Sequence, residues 1–265
     1  MSRIRVNGAR CYVEEHGTGD PIVFLHGLGV GSRYFEPQLE SLASEYRTIA
    51  VDFRGHGRSE TTEIGYTLRQ FAADVEAVLD ALDCEDAVLV GWSLGALVTW
   101  EYLDRYGAER VRAIVDVDME ACPYQREDYP YGTYTLESVS QSVSAMQIDR
   151  FAAIEDAIDR LCKRPPTGRL RRMMVDEMSR CSPTVVATLL FSITRDYRDV
   201  LRAIDVPMLI CVGEDGKWRS AASVEHTAEF VADAQIERFP ESGHCLTVEE
   251  PKRFNRVVEG FDDAL

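Results

Sequence analysis

The stretch Ala87-Val88-Leu89-Val90-Gly91-Trp92-Ser93-Leu94-Gly95-Ala96 decides the fold. Its first four residues form an apolar run that reads as a buried strand. From Ala96 to Tyr106 the pattern becomes helical. Between the two lies a tight turn with a central serine and a glycine two residues to either side. A serine hydroxyl is a weak nucleophile unless a base and an anion-stabilising pocket can reach it. A sharp strand-to-helix turn presents it to both. The glycines let the chain turn and keep side chains out of the crowded space between strand and helix. Ser93 is therefore the first candidate functional residue. Trp92 beside it has two readings, a pocket wall or buried packing.

Working outward, the same alternation of strand and helix recurs on both sides. Ile4–Val6 and Cys11–Glu15 flank Asn7-Gly8, a hairpin signal. Pro21–Leu25 and Thr48–Val51 read as strands and Tyr34–Ala43 as a short helix. Leu68, Phe71, Val75, Val78, Leu79 and Leu82 follow helical spacing. Val111–Val117 is a further strand. From Met119 to about Val200 helical patterns and loops take over, punctuated by prolines. The alternation then returns: strand Pro207–Val212, helix Ala221–Val231, strand Gln235–Phe239 and helix Pro251–Phe261. Such a chain predicts a mostly parallel sheet covered on both faces, with residues 119–200 as a helical insertion at one crossover.

Composition limits the partners. The 265 residues suit one large domain, long enough to bury a core without staples. A net charge of −16 argues against nucleic acid and anionic membranes. The seven scattered cysteines show no CxxC and no Cys/His ligand spacing, which reads as free thiols rather than a disulfide framework or a metal site. With no membrane-length apolar stretch and a polar start at Met1–Gly8, the expectation is a soluble cytoplasmic protein. Lysine is nearly absent, at positions 163, 217 and 252 only. That acidic, lysine-poor surface fits either a high-salt cytoplasm or an ordinary acidic protein. No phosphate loop or Rossmann glycine pattern appears, so no nucleotide cofactor is expected.

A second candidate lies far downstream. His244, in Glu241-Ser242-Gly243-His244, follows a predicted strand and precedes a helix. That places it on a loop at one edge of the sheet, within reach of a serine. Asp116 and Asp118, at the end of Val115-Asp116-Val117-Asp118, point the same way by strand alternation, and only Asp118 reaches the strand's mouth.

Four motifs together resemble the α/β-hydrolase fold over nearly the full length: His26-Gly27-Leu28-Gly29, Asp52-Phe53-Arg54-Gly55-His56-Gly57-Arg58-Ser59, Gly91-Trp92-Ser93-Leu94-Gly95, and Ser242-Gly243-His244 leading to Glu249-Glu250-Pro251. The resemblance implies an eight-stranded, mostly parallel sheet with one antiparallel strand near the start and helices on both faces. It implies a core of residues 1–118 and 201–265, with a cap formed by 119–200 after the sixth strand. It implies Ser93 as nucleophile and His244 as base, following the order serine, acid, histidine. The backbone N–H groups of Leu28 and Leu94 would form the oxyanion hole. His26 and His56 then read as loop braces, and Asp52 and Arg54 as residues that order the glycine-rich loop. The third member departs from the pattern. The usual acid sits three residues after Gly213, where this chain has Gly216. Asp215 is one position early, and Asp118 occupies the alternative site at the end of the preceding strand. Asp118 is the favoured acid and Asp215 the alternative.

Tyr124, Tyr129, Tyr131 and Tyr134, with Met119, Met146, Met173, Met174 and Met178, give the 119–200 block adaptable apolar surface. Met119, Tyr124 and Tyr131, with Trp92, are the expected pocket residues, and the expected substrate is a moderately apolar small molecule. The leading expectation is a cofactor-free hydrolase of carboxylic esters or lactones. Alternatives on the same triad are a carbon–carbon bond hydrolase or a perhydrolase or haloperoxidase-like enzyme. A receptor built on the fold is an alternative of another class.

Overall fold

A computed structural model describes residues Met1–Leu265. The chain opens with a hairpin, β1 (Ser2–Val6) and β2 (Ala9–His16). Its turn residues Asn7 and Gly8 both take positive φ, 46° and 82°, as a two-residue turn between twisted strands requires. There follow β3 (Pro21–Leu25), α1 (Glu36–Leu42), β4 (Arg47–Val51), α2 (Leu68–Ala81), β5 (Ala87–Trp92), α3 (Leu94–Tyr106) and β6 (Val111–Val117). Four helices separate β6 from the next strand: α4 (Leu136–Ile148), α5 (Arg150–Leu161), α6 (Gly168–Arg180) and α7 (Pro183–Ser192). The chain then runs through α8 (Arg198–Ala203), β7 (Met208–Gly213), α9 (Ala221–Glu225), β8 (Ala234–Phe239), α10 (Leu246–Glu249) and α11 (Pro251–Asp262).

The eight strands form one sheet in the order β1-β2-β4-β3-β5-β6-β7-β8. Only β2 runs against its neighbours; every pairing from β4 to β8 is parallel. Strand alternation divides the core into two layers. Val23, Leu25, Leu89 and Ile210 point to the face covered by α2 and α3. Ile22, Phe24, Val88, Val90 and Leu209 point to the face covered by α1 and α11. Strands buried on both faces explain why β3 and β5 read as unbroken apolar runs.

The segment 221–231, expected as one helix, is α9 followed by a 3-10 turn over His226–Phe230. In that turn the Thr227 hydroxyl donates to Met119 O at 3.3 Å, tying the segment to the chain just after β6. Helix α8 straddles position 200 and packs on α3 and on this turn. No helix is long and apolar enough to cross a membrane.

Candidate active site

The carboxyl ends of β5, β6 and β8 bring the candidate residues together. Ser93 takes φ 54°, ψ −113° between β5 and α3. This is a sparsely populated conformation that costs a non-glycine residue about 1–3 kcal/mol and persists only where its surroundings fix it. They do. The Ser93 N–H donates to Val117 O at 3.0 Å, tying the turn to the end of β6. A Cβ at Gly95 would stand 1.9 Å from Leu25 O, and one at Gly91 would stand 2.6 Å from Ala96 N. Both glycines are therefore required by close backbone approach. Leu94 begins α3, so its N–H has no acceptor within the helix. Leu28 lines the same cavity as Ser93, and its N–H has no backbone acceptor.

His244 lies buried after β8, its Nδ1 2.6 Å from Asp118 Oδ2. Asp118 Oδ1 accepts the Gly213 N–H at 3.0 Å, so both carboxylate oxygens are engaged. Asp118 itself has φ 55°, which turns the chain out of β6. The loop carrying His244 is fixed from three sides. Its N–H donates to Leu161 O at 2.8 Å, its carbonyl accepts from Trp92 Nε1 at 2.8 Å, and a Cβ at Gly213 would strike Gly243 O at 2.0 Å.

The other carboxylate considered, Asp215, is half-buried and is not among the partners of His244. Its backbone N–H donates to Ser242 O at 3.1 Å. Position 216 has no room for any side chain, because a Cβ there would stand 1.6 Å from Arg219 O.

Arg219, unremarked in the sequence, is the cation of the site. It is 3% exposed, ion-pairs with the fully buried Glu120, and donates from Nη1 to Asp118 O at 2.6 Å. The same Nη1 stands 3.4 Å from His244 Nδ1. Since Nδ1 shares its proton with Asp118, Arg219 acts there as a charge rather than as a donor. Burial pushes the His244 imidazole below the ordinary histidine value; the Asp118 hydrogen bond opposes this, and Arg219 reinforces it. Burial, helped by the charge of Asp118, raises the neighbouring Asp116 carboxyl well above its usual range. Both its oxygens are buried without a hydrogen-bond partner, so little there stabilises the charged form. The signal for Arg219 was present in the acids. Asp116, Asp118 and Glu120 alternate at the end of an apolar strand, and so many buried carboxyls require a buried cation or protonation.

Ser93, His244 and Trp92 line one cavity of about 160 Å³, most of whose walls come from α4, α5 and α7. Of the expected pocket residues only Trp92 lies there. Met119 is core, 1% exposed. Tyr124 is buried and donates its hydroxyl to Leu190 O at 2.6 Å. Tyr131 is 41% exposed and packs its ring on His226 at 4.3 Å. Tyr134, Met146, Met178 and Trp218 line the cavity instead. Tyrosine and methionine were the expected types, but which of them reach the cavity follows from how the helices, and the loops carrying Tyr134 and Trp218, fold back.

The bracing residues fall into place around this. His26 donates from Nδ1 to Gly27 O at 2.7 Å and accepts the Phe53 N–H on Nε2 at 3.0 Å, which requires a neutral ring. Burial lowers its pKa to about 4. Asp52 accepts the N–H groups of Ser32 and Arg58 at 2.6 and 2.7 Å, joining the two loops. Arg54 forms a two-pronged pair with Asp74 at 2.6 and 2.7 Å.

With this geometry in view, known proteins give a consistent picture. Residues 22–257 match the model of the alpha/beta hydrolase family. The chain belongs to the alpha/beta hydrolase family. It is 30% identical over 264 residues to a non-heme haloperoxidase from Rhodococcus erythropolis, covering 96% of each chain. It superposes on an esterase from Exiguobacterium antarcticum with a TM-score of 0.94 at 27% identity, covering 98% of each chain. An esterase from a Rhodococcus species aligns with a TM-score of 0.86 at 30% identity, over 99% of this chain and 98% of that one. This alpha/beta hydrolase is thus an enzyme of the hydrolase class.

Proposed function

We propose that this alpha/beta hydrolase cleaves carboxylic esters or lactones of small, moderately apolar molecules through an acyl-enzyme on Ser93. The observation that carries the proposal is the junction of three strand ends. Ser93 and His244 line one cavity, and His244 Nδ1 is bound to the buried Asp118 at 2.6 Å. With Nδ1 committed, Nε2 is the ring nitrogen that takes the serine proton as Oγ attacks the carbonyl carbon. The oxyanion that forms is stabilised by the N–H groups of Leu28 and Leu94 and by the amino end of α3. His244 returns the proton to the departing alkoxide, and the alcohol leaves. Water, deprotonated by the same nitrogen, then releases the acid and frees Ser93. Residues 119–200 act as a cap that shapes the cavity. The step needs no cofactor.

Ser93→Ala is the test. It should remove nearly all ester hydrolysis, on the order of a millionfold by analogy with other serine triads, while the melting temperature stays at or above that of the parent because a strained serine is merely shortened. Turnover of a simple phenyl ester within about tenfold of the parent would refute the mechanism. The likeness to a haloperoxidase favours a second reading, in which hydrogen peroxide replaces water in deacylation and releases a peracid. Peracid formation from a short-chain acid and peroxide, abolished in the same variant, distinguishes it from simple hydrolysis.

A further inference from the structure

Besides His244, the cavity wall bears three charged side chains, all on α5: Arg150 at its start, and Asp156 and Arg160 further along. Asp156 and Arg160 bond each other at 2.8 Å, and with 66% and 49% of their side chains exposed they form a self-neutralised pair at the rim. Arg150 is different. It is half-buried, and its Nη2 donates to the carbonyls of Ser179 and Cys181 at 2.6 and 2.7 Å. Those carbonyls, at the carboxyl end of α6, hold the guanidinium in place and offer it only the partial negative charge of a helix end. The adjacent carboxylate, Asp149, is used in capping the Ala152 N–H at 3.0 Å. Arg150 has no carboxylate partner, and its Nε and Nη1 have no protein acceptor. This is a cation without a carboxylate partner, lining a largely apolar cavity in a chain of net charge −16.

A guanidinium whose Nε and Nη1 lack acceptors can donate single charge-assisted hydrogen bonds to a carboxylate; a two-pronged pair is closed to it, because both paired edges use the occupied Nη2. We propose that Arg150 is the counter-ion for a carboxylate on the substrate, so that the preferred substrates are anionic: half-esters of short dicarboxylic acids, or lactones that bear a carboxylate. The proposal rests on the serine-hydrolase reading and deepens it. Arg150 binds the end of the acyl group remote from the scissile carbonyl and takes no part in bond making. Global repulsion between an acidic protein and an anionic substrate makes a fixed local cation necessary rather than redundant.

The test pairs each mono-phenyl ester of succinic, glutaric and adipic acid with its ω-carboxamide, which has the same shape and no charge. The parent should prefer the anionic member of at least one pair. Arg150→Met should lower the ratio of kcat/KM for anionic over neutral ester about ten- to hundredfold, the size expected of a charge-assisted bond. The loss should appear in KM, and Arg150→Lys should restore part of it. A ratio that Arg150→Met leaves unchanged, because both esters suffer equally, would show a packing residue and overturn the proposal. So would a parent that prefers every neutral ester. A second measurement separates this failure from failure of the hydrolase reading. Glutarate, at fixed ionic strength with chloride as control, should raise the melting temperature of Ser93→Ala and not that of the Ser93→Ala/Arg150→Met double variant. If phenyl esters are not turned over at all, the mechanism fails, and the glutarate shift still decides the subsite.

Discussion

All six residues of β5 are buried, whereas α4 buries one residue, Val139, in thirteen. The contrast extends to the surrounding regions. Of the nine large apolar side chains left exposed, five lie between 119 and 200: Tyr131, Leu136, Ile148, Phe151 and Phe191. The strands are clamped between two apolar layers, and a residue at a strand end inherits their rigidity. Ser93, Asp118 and the loop of His244 are all placed this way. The helices of the 119–200 block divide between the layers: Val139, Val185 and Leu189 join one, and Ile154, Ile158 and Met174 join the other. The cavity lies between these halves. On the proposed mechanism, the reacting groups would be held by the best-packed part of the molecule and the substrate framed by its least buried part. Such an arrangement would separate chemistry from selectivity, because loosely held walls could change without moving Ser93 or His244.

The largest effect that tests this division is on the acid. Asp118→Asn keeps the shape but loses the charge that orients His244 and stabilises the imidazolium. We expect a fall in kcat of up to about ten-thousandfold for every ester, as for the corresponding change in another serine triad. Asp215→Asn should keep most activity, since its carboxylate is not bonded to His244. If Asp215→Asn is the dead variant, the acid comes from the later strand. The strand end of β6 would then lose its place in the chemistry.

Substitutions in the helical block should act on selectivity. Tyr134→Ala or Met146→Ala enlarges the cavity and should favour long over short acyl groups, changing their kcat/KM ratio about ten- to hundredfold, the scale of a few methylenes in an apolar pocket. Tyr131→Ala, exposed and outside the cavity, should leave that ratio alone. Equal losses for all chain lengths in Tyr134→Ala, with a lower melting temperature, would mean that the wall is structural and would blur the contrast.

The smallest effect concerns pH and belongs to the framework. The depressed pKa of His244 means that the folded enzyme keeps a neutral base where a free imidazole, near ~6.5, is already protonated. The acid limb of kcat/KM should therefore fall below that value, and activity should persist at mildly acidic pH. A limb at or above ~6.5 would show that the pull of Asp118 outweighs burial and the charge of Arg219.

The sequence by itself determined the framework and much of the candidate site. Strand Pro21–Leu25 was legible to the residue, because a strand buried on both faces is apolar throughout, and Val111–Val117 was legible too although Arg112 and Asp116 interrupt its apolar run. The strand-to-helix turn at Ser93 was legible because the crowding at Gly91 and Gly95 leaves glycine no substitute. The same holds for the bracing roles of His26, Asp52 and Arg54, which their loops impose locally. Tertiary structure alone decided the rest. Asp118 and Asp215 both lie in reach of a histidine on paper; only the folded chain shows Asp118 against Nδ1 and the 216 position sealed by Arg219 O. Arg219 and Glu120 meet across about a hundred residues of chain, and Arg150 enters the cavity because α5 folds back toward Ser93. No local periodicity encodes such meetings. The identity of the wall residues, Tyr134 rather than Tyr131, depends on how the irregular segment between β6 and α4 folds, with Tyr134 bridged to Tyr124, and no local pattern says which tyrosine of that segment turns to the cavity.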